Sequence, residues 1–322
     1  MRIHVVCTKN GLLNEGMNNI EAHFTKRMSE KHEVSNSSLK DIIGQIKGEK
    51  EADCVLIYSR ANRKTYWLAR LAGLLCKNVW FVIVQKAETD FIRLVRKHPL
   101  SCNYLFLSEN DMEGVNLSSG KKKVHFYVGI HSDKFVPVSR KKAAELKNKY
   151  GFSPDKYLVV HVGHASIGRG IEDMAKIDRA VFDTLFVDSG IFDNPSQQKQ
   201  LEESGVRIIR GYLENIEEIY QMADAYLLPT QSGDYVISVP LSVMEALACG
   251  TAAVAYKEIH SKDSIKEAVE GSIIEIADSS QLNGALKKAA DMKSEIALLK
   301  GNKSWADAAD YVENVIMETS AS

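Results

Sequence analysis

The sequence predicts an α/β protein of two domains, each a doubly wound parallel sheet with helices on both faces. The chain has 322 residues, and single hydrophobic cores stop growing at roughly 250–300 residues. Short β-branched runs alternate with amphipathic segments, and most of the runs are apolar throughout, as in strands buried on both faces. The predicted strands are 3–7, 54–58, 79–84, 104–107, 124–127, 158–162, 184–187, 206–209, 225–228 and 252–255. The amphipathic segments include 19–29, 65–75, 216–222 and 241–248.

A turn-rich segment over residues 129–156 separates the two halves of the pattern. Within it, Pro137 and Pro154 bracket a charged helix. We therefore predict one domain over residues 1–138 and a second over 156–303. The last segment, 304–322, has a helical pattern but follows too far after the final strand to be needed by that sheet, and we expect it to cross back to the N-terminal domain.

The composition is that of an ordinary globular protein, with 45% hydrophobic and 26% charged residues. No apolar stretch is long enough to cross a membrane, and the chain opens directly on a strand, without a signal-like leader. The five cysteines are scattered among apolar residues and include no Cys-x-x-Cys pair. These features predict a cytoplasmic protein with neither disulfides nor a zinc site.

Charge is divided unevenly along the chain. Residues 1–150 carry 26 Lys and Arg against 15 Asp and Glu, whereas the remainder carries 15 against 27. Several basic residues of the first half alternate with apolar or aromatic ones, as around Trp67 and in residues 91–97. No recognised nucleic-acid-binding fold or base-stacking platform is present. An anionic membrane surface fits the pattern better, and we expect peripheral attachment to the inner membrane face.

Two strand-to-helix turns carry the residues that suggest a ligand site, because ligands of open parallel sheets bind beyond the carboxyl ends of the strands. The first turn contains Gly163, His164 and Arg169, where glycines would admit an anion and the basic side chains would supply donors. A capping His and a solvated Arg explain this turn equally well. Neither a dinucleotide fingerprint nor a Walker loop is present, which disfavours a nicotinamide enzyme.

The second turn leads into a helix that starts near Pro240 and carries Glu245 one turn in. The backbone N–H groups at such a helix start can face an anionic ligand. Glu245 either complements the helix dipole or holds ligand hydroxyls, and its apolar surroundings make the second role the more specific hypothesis.

Five segments, taken in order, resemble the retaining GT-B glycosyltransferases with a Glu-x7-Glu motif, a family 4-like group. LPT…PLSVMEALACGTAAVAY resembles their donor-site signature, and residues 163–170 are similar to their glycine-rich loop with its basic residues. VRIIRGYLENIEEIYQMADAYLLPT, VHFYVGIHSDKFVP and KSWADAADYVENVI are similar to the segment before the signature, the interdomain segment and the closing helix.

The resemblance implies a hexosyltransferase-like enzyme that moves a sugar from a UDP- or GDP-sugar to a lipid-linked or glycan acceptor, with retention. The donor would bind the second domain and the acceptor the first. Arg169 and Glu245 would be the catalytic pair, with Arg169 neutralising the diphosphate and Glu245 holding the ribose. The implied donor-binding residues are Gly163, His164, Arg169, Tyr212 against the base, Leu241, Ser242 and Glu245. The implied acceptor side comprises Gly16, Gln85 and Lys86.

Departures from the family pattern leave other interpretations open. Ile237 stands where the family has its first glutamate, and Gln85 stands where many members have a histidine; Gln85 can form hydrogen bonds but cannot act as an acid or base. A catalytically degenerate GT-B protein that binds nucleotide sugars, or a sugar-phosphate epimerase of the same architecture, is the alternative. The chain has no Asp-x-Asp motif, so we expect no metal; the helix dipole and Arg169 would stabilise the leaving group instead.

Overall fold

A computed structural model describes residues 1–8, 16–166, 168–190, 194–301 and 303–320. Gly11, one of two turn glycines that follow the first strand, lies outside these residues. The chain divides into two compact units. The first comprises Met1–Gly129, Ile237–Val239 and Lys303–Ser322, and the second comprises Ile130–Val236 and Pro240–Asn302. The first segment of this unit thus ends at Gly129, before residue 138 where the sequence placed the boundary, and the unit includes the C-terminal helix.

The described part of the first unit contains a six-stranded, entirely parallel sheet in the order β2-β1-β3-β4-β5-β6. Its strands are β1 (Arg2–Cys7), β2 (Glu33–Ser38), β3 (Cys54–Tyr58), β4 (Val79–Ile83), β5 (Asn103–Phe106) and β6 (Lys123–His125). Its helices are α1 (Gly16–Ser29), α2 (Ile42–Glu51), α3 (Arg63–Leu75), α4 (Thr89–Lys97) and α11 (Trp305–Ser320). Every residue of β3, β4 and β5 is buried, because helices cover both faces of a parallel sheet.

The described part of the second unit contains another six-stranded parallel sheet, in the order β12-β11-β10-β7-β8-β9. Its strands are β7 (Tyr157–Gly163), β8 (Phe182–Asp188), β9 (Arg207–Arg210), β10 (Ala225–Leu228), β11 (Ala253–Tyr256) and β12 (Ile273–Ile276). Its helices are α5 (Arg140–Lys149), α6 (Pro195–Glu203), α7 (Ile216–Met222), α8 (Leu241–Ala248), α9 (Ser261–Ser264) and α10 (Leu282–Asp291). The predicted fold class, two doubly wound parallel-sheet domains, is confirmed.

Two strands escaped the sequence prediction, and both lie at a sheet edge. β2 has the sequence EVSNSS and is mostly exposed, so it lacks the apolar run that marks a buried strand. His4 on β1 compensates for this polarity, because its ring contacts the hydroxyls of Ser35 and Ser37 at 2.8 and 2.9 Å. β12 is a short edge strand that is only half-buried.

The C-terminal helix α11 packs on α1 within the first unit. Arg27 donates two hydrogen bonds to the carboxylate of Asp310, at 2.9 and 2.8 Å. The Trp305 ring stacks on His23 with 4.2 Å between ring centroids. Charge pairing and aromatic stacking therefore both hold the end of the chain to its first helix.

The charge of the first unit differs from that of residues 1–150. With the C-terminal helix included, the unit carries 21 Lys and Arg against 17 Asp and Glu, a net charge of +4, and the second unit carries 20 against 25. The expected surplus of about eleven charges shrinks because α11 contributes carboxylates and because α5, with its lysines, belongs to the second unit. Within the described residues, no helix combines the length and apolarity that a membrane span requires.

Candidate functional site

The second sheet has its topological switch point between β7 and β10. From β7 the chain proceeds through β8 to β9 at one edge, and from β10 it proceeds through β11 to β12 at the other. The connections beyond the carboxyl ends of β7 and β10 therefore diverge and leave a crevice, which is where doubly wound sheets bind their ligands. The two turns singled out in the sequence follow these two strands.

The end of β7 and the loop after it require glycine at three positions. A Cβ on Gly163 would lie 2.8 Å from Nε2 of His161, which is buried beneath it. Gly168 and Gly170 have φ of +88° and +68°, which other residues adopt only with strain. A Cβ on Gly170 would also lie 2.1 Å from the carbonyl oxygen of Pro229. The two left-handed glycines flank Arg169 and thereby set where its side chain starts.

The connection after β10 anchors the backbone of the Arg169 loop. The Thr230 hydroxyl donates to the carbonyl oxygen of Arg169 at 3.3 Å. The next residue, Gln231, donates at 3.2 Å to the buried carboxylate of Asp173, which also accepts from the Tyr256 hydroxyl. Lys176 forms an ion pair with Asp173 at 2.7 Å. Arg169 is therefore carried by a loop that the neighbouring strands hold in place.

His164 is buried, and its Nδ1 lies 2.7 Å from the Ser189 hydroxyl that follows β8. Burial, together with the charge of Arg169, lowers the pKa of His164 to about 4. The expectation of a positively charged His164 is therefore wrong: at neutral pH the imidazole supplies hydrogen bonds but no charge. Among the basic residues predicted in this loop, Arg169 alone carries a positive charge.

Helix α8 begins where the sequence placed it, with Pro240 preceding Leu241. The N–H groups of a first helical turn have no carbonyl partner inside the helix, so those of Leu241 and Ser242 are available to an anion at this end. The hydroxyl of Tyr226 on β10 donates to Ser242 Oγ at 2.7 Å and orients it. A buried tyrosine thus ties the helix start to the strand beside the switch point.

Glu245 lies one turn into α8 and is partly buried. Burial raises the pKa of Glu245 to about 7, and the neighbouring Tyr220 on α7 opposes this shift. A hydrogen bond donated to this carboxyl group would favour its ionised form and lower the pKa again.

Beyond β8 and β9 the same edge of the sheet carries further polar groups. The buried carboxylate of Asp188 accepts from the backbone of Gly190 at 3.1 Å and from the side chain of Gln198 at 2.7 Å. Gly211 has φ of +102° and donates its N–H to the Asp188 carbonyl at 2.8 Å. Tyr212 follows, with 75% of its side chain exposed. The loop predicted to lie against the base therefore presents a free aromatic ring.

The predicted acceptor-side residues all belong to the first unit. Gly16 is the first residue of α1, and a Cβ there would lie 2.7 Å from Cδ1 of Ile237. Ile237 is thus an apolar packing residue here. Gln85 and Lys86 follow β4 and are half-buried and exposed, respectively. Their positions are compatible with an acceptor role, which stays a prediction.

Asp111 is a candidate residue of this region that the sequence prediction missed. It accepts a hydrogen bond from the Ser238 hydroxyl, and the Ser238 N–H donates to the carbonyl oxygen of Val84 at 2.8 Å. Burial raises the pKa of Asp111, and the nearby charge of Lys86 opposes the shift. No sequence motif marks this residue, because its neighbours come from distant segments.

His161 and Asp188 were also missed. His161 Nδ1 donates to the Leu227 carbonyl at 2.9 Å, and burial lowers its pKa to about 3. The pattern VDSG at the end of β8 could have drawn attention to Asp188, because a polar group there stands at the ligand edge of the sheet. Among the described residues, no group of three or more His, Cys, Asp or Glu is arranged to hold a metal ion.

These features define the second unit as a Rossmann-like domain with a crevice at the carboxyl edge of its sheet. Residues 142–310 match the family described as glycosyl transferases group 1. The match covers more than half of the chain, and the protein belongs to this family.

Curated relatives match over part of their length. The chain is 23% identical over 164 residues to the alpha-galactosylglucosyldiacylglycerol synthase of Streptococcus pneumoniae, covering 48% of this chain and 42% of that protein. It is 27% identical over 234 residues to the N,N'-diacetylbacillosaminyl-diphospho-undecaprenol alpha-1,3-N-acetylgalactosaminyltransferase of Campylobacter jejuni, covering 67% of this chain and 58% of that protein. The chain thus spans about half the length of the curated relatives it matches.

Solved structures match over the whole chain. Anabaena Alr3699/HepE in complex with UDP-glucose superposes with a TM-score of 0.70 at 12% identity, covering 100% of this chain and 97% of that one. Sucrose-phosphate synthase from Thermosynechococcus elongatus gives a TM-score of 0.70 at 12% identity, covering 100% and 98%. At such identities the likeness shows the fold, which is GT-B.

Proposed function

We propose that the protein is a glycosyltransferase that binds a UDP- or GDP-sugar at the switch point of the second sheet. One observation carries the proposal: the Arg169 loop and the start of α8 follow the adjacent strands β7 and β10. Membership of the glycosyl transferases group 1 family supports it. Anabaena HepE, which has the same fold, was solved with UDP-glucose.

The diphosphate leaving group sets the chemical requirement. When the bond between the sugar's anomeric carbon and the phosphate oxygen breaks, negative charge develops on the diphosphate. The guanidinium of Arg169 and the first N–H groups of α8 would stabilise this charge without a metal. The acceptor oxygen forms the new bond, and its proton passes to the departing phosphate. Retention at the anomeric carbon would follow from attack on the face that the diphosphate leaves.

Glu245 would accept hydrogen bonds from the two ribose hydroxyls of the nucleotide. Its carboxyl group lies on α8 near Tyr220 of α7, and α7 is the helix that follows the Tyr212 loop. This arrangement supports the ribose beside Glu245 and the base against Tyr212. His164 and Gly163 would complete the phosphate site from the β7 side, with a neutral imidazole as a hydrogen-bonding group.

We propose a lipid-linked or growing glycan acceptor, bound by the first unit near Gln85, Lys86 and Gly16. The names of the two curated relatives described above include lipids, a diacylglycerol in one and a diphospho-undecaprenol in the other. Asp111, whose carboxyl group interacts electrostatically with Lys86, would contribute to the same acceptor site.

Helices α3 and α4 of the first unit support attachment to an anionic membrane from the cytoplasm. α3 carries three basic residues and no acidic one, and its outer face exposes Trp67 and Leu74, with 56% and 80% of each side chain accessible. The adjacent helix α4 adds Arg93, Arg96 and Lys97. Basic groups attract anionic lipids and exposed apolar groups enter the interface. For membrane attachment, the concentration of positive charge on these helices therefore matters more than the small net charge of the whole unit.

A degenerate protein that binds nucleotide sugars without turnover is the competing interpretation. It would explain why Ile237 and Gln85 stand where the family pattern has a glutamate and, in many members, a histidine. The packing of Ile237 against Gly16 accounts for the first change, and the presence of Arg169 and Glu245 argues against the degenerate interpretation.

Calorimetric titration with UDP and GDP tests the donor site. We expect Arg169→Ala to weaken binding by about 1.5–3 kcal/mol, the scale of a charge-assisted hydrogen bond, and Arg169→Lys to weaken it less. Lys199→Ala, on the exposed face of α6 in the same unit, is the matched control and should bind as the wild type does. Unchanged affinity for both nucleotides in Arg169→Ala and Glu245→Ala would refute the assignment.

A further inference from the structure

Two aromatic rings of the second unit are exposed among its described residues, and both follow strands at the ligand edge of the sheet. Tyr212 comes after β9 with 75% of its side chain exposed, and Tyr235 comes after β10 with 45% exposed. In the strand order β10-β7-β8-β9, these two strands flank the pair that carries Gly163 and Asp188. Three strand spacings, about 14 Å at roughly 4.8 Å each, separate β10 from β9, which leaves room for a diphosphate with a ring at each end.

The Tyr235 ring lies directly on the Arg169 loop. Three of its ring atoms, Cε1, Cζ and Cε2, lie within 2.5–2.6 Å of the position that a Cβ on Gly168 would occupy. Gly168 therefore serves two purposes, a left-handed turn and space for this ring. The short 3-10 helix Gly233–Tyr235 is held by Ser232, whose hydroxyl accepts from the N–H of Asp234 at 3.2 Å. The ring is thus fixed beside Arg169 and still has nearly half of its surface free.

The Tyr235 hydroxyl donates no hydrogen bond to any part of the chain that the structure describes. An aromatic ring that is held by packing, half-exposed and free of polar partners presents a flat apolar face. The C–H face of a pyranose ring matches such a surface, because it is the apolar side of an otherwise hydroxylated molecule.

The position of Glu245 decides which end of the donor Tyr235 meets. Glu245 is next to Tyr220 on α7, and α7 begins a few residues after Tyr212. In the proposed function the ribose binds Glu245 and the base lies against Tyr212, so the nucleoside end of the donor extends toward β9. The other end of the diphosphate, which bears the sugar, then extends past Arg169 toward Gly168 and the ring that covers it.

We propose that Tyr235 stacks on the transferred sugar and thereby contributes to donor specificity in a chain that has Ile237 in place of the family's first glutamate. The inference rests on the proposed function, since it takes the ligand to be a nucleotide sugar. Tyr212 at the opposite end would contact the base, so the two tyrosines should respond differently to removal of the sugar from the ligand.

The test compares dissociation constants for UDP and UDP-glucose, or for GDP and GDP-mannose if the wild type prefers guanine. We expect Tyr235→Ala to weaken binding of the nucleotide sugar roughly 3- to 10-fold, the range of an aromatic stacking contact. The dissociation constant of the free nucleoside diphosphate should stay within about 2-fold of the wild-type value. Tyr235→Phe should bind both ligands normally, because the hydroxyl donates to no residue that the structure describes. Tyr212→Ala should weaken both ligands by the same factor.

Equal weakening of both ligands by Tyr235→Ala, or no change in either, would overturn the assignment to the sugar. Tyr235→Leu keeps the bulk of the side chain and removes the aromatic face, so it should reproduce the selective loss even if the alanine variant is unstable. Failure of the wild type to bind UDP, GDP or any of their sugars would instead overturn the proposed function, which separates the two failures.

Discussion

The contact between Gly170 and Pro229 gives a direct test of how the Arg169 loop is positioned. In Gly170→Ala, the new Cβ would lie 2.1 Å from the Pro229 carbonyl oxygen, and the backbone has φ of +68°. The left-handed conformation alone costs an alanine about 1–2 kcal/mol, and relief of an overpacked contact costs a further 1–3 kcal/mol or so. We therefore expect the free energy of unfolding to fall by about 2–5 kcal/mol.

Gly271→Ala provides a matched control in the same unit. Gly271 has φ of +78°, and nothing lies within 4 Å of the position of its Cβ. It should therefore lose only the conformational part, about 1–2 kcal/mol. Urea unfolding of the two variants measures the difference, and UDP or GDP titration measures its consequence, because Gly170→Ala must also displace Arg169. Equal destabilisation by the two substitutions, with unchanged nucleotide affinity in Gly170→Ala, would refute the idea that this contact positions the loop.

Two further predictions concern protonation and the membrane. Burial raises the pKa of Glu245 to about 7, so the folded protein binds more protons than the unfolded chain between about pH 4.5 and 7, and stability without ligand should fall as pH rises through that window; Glu245→Gln should reduce this slope. UDP affinity should rise as pH passes about 7 in the wild type but not in Glu245→Gln. The control is Glu49→Gln, which removes another buried glutamate with a pKa of about 7. This variant should also reduce the slope of stability against pH, but its UDP affinity should keep the pH dependence of the wild type. Neutralising Arg93, Arg96 and Lys97 together should abolish most co-sedimentation with anionic vesicles at low salt, since each basic residue contributes on the order of 1 kcal/mol to membrane binding. Neutralising Lys141 and Lys142 on α5 should leave co-sedimentation unchanged. Equal effects of the two sets of substitutions would contradict attachment through α4.

The fold could be predicted from the sequence because most strands of a parallel sheet are continuously apolar. β3 and β10 fall where they were expected, at Cys54–Tyr58 and Ala225–Leu228. β2 could not be found in this way, since it lacks an apolar run; the hydroxyls of Ser35 and Ser37 pair instead with His4 of the neighbouring strand. The assignment of Ile237–Val239 to the first unit likewise depends on tertiary contacts that no local pattern encodes.

The positions of the candidate donor-site residues were predictable where a turn or a helix start fixes them, as for Arg169 and Ser242. Protonation was not predictable, because burial by distant segments determines it: His164 reads as a cation in the sequence and is neutral in the fold. Tyr235 carried no signal either, since its partner Gly168 comes from a different strand connection.

Release of nucleoside diphosphate from the preferred nucleotide sugar, with and without anionic vesicles that contain a lipid-linked acceptor, tests the central claim most directly. A glycosyltransferase with the site described here should release the diphosphate only when acceptor is present. Arg169→Ala should lower that rate by about 10- to 150-fold, the equivalent of 1.5–3 kcal/mol, and Lys199→Ala should not change it. Tight binding of the nucleotide sugar without acceptor-dependent release, across lipid-linked and soluble glycan acceptors, would contradict the claim and favour a protein that binds the donor without turning it over.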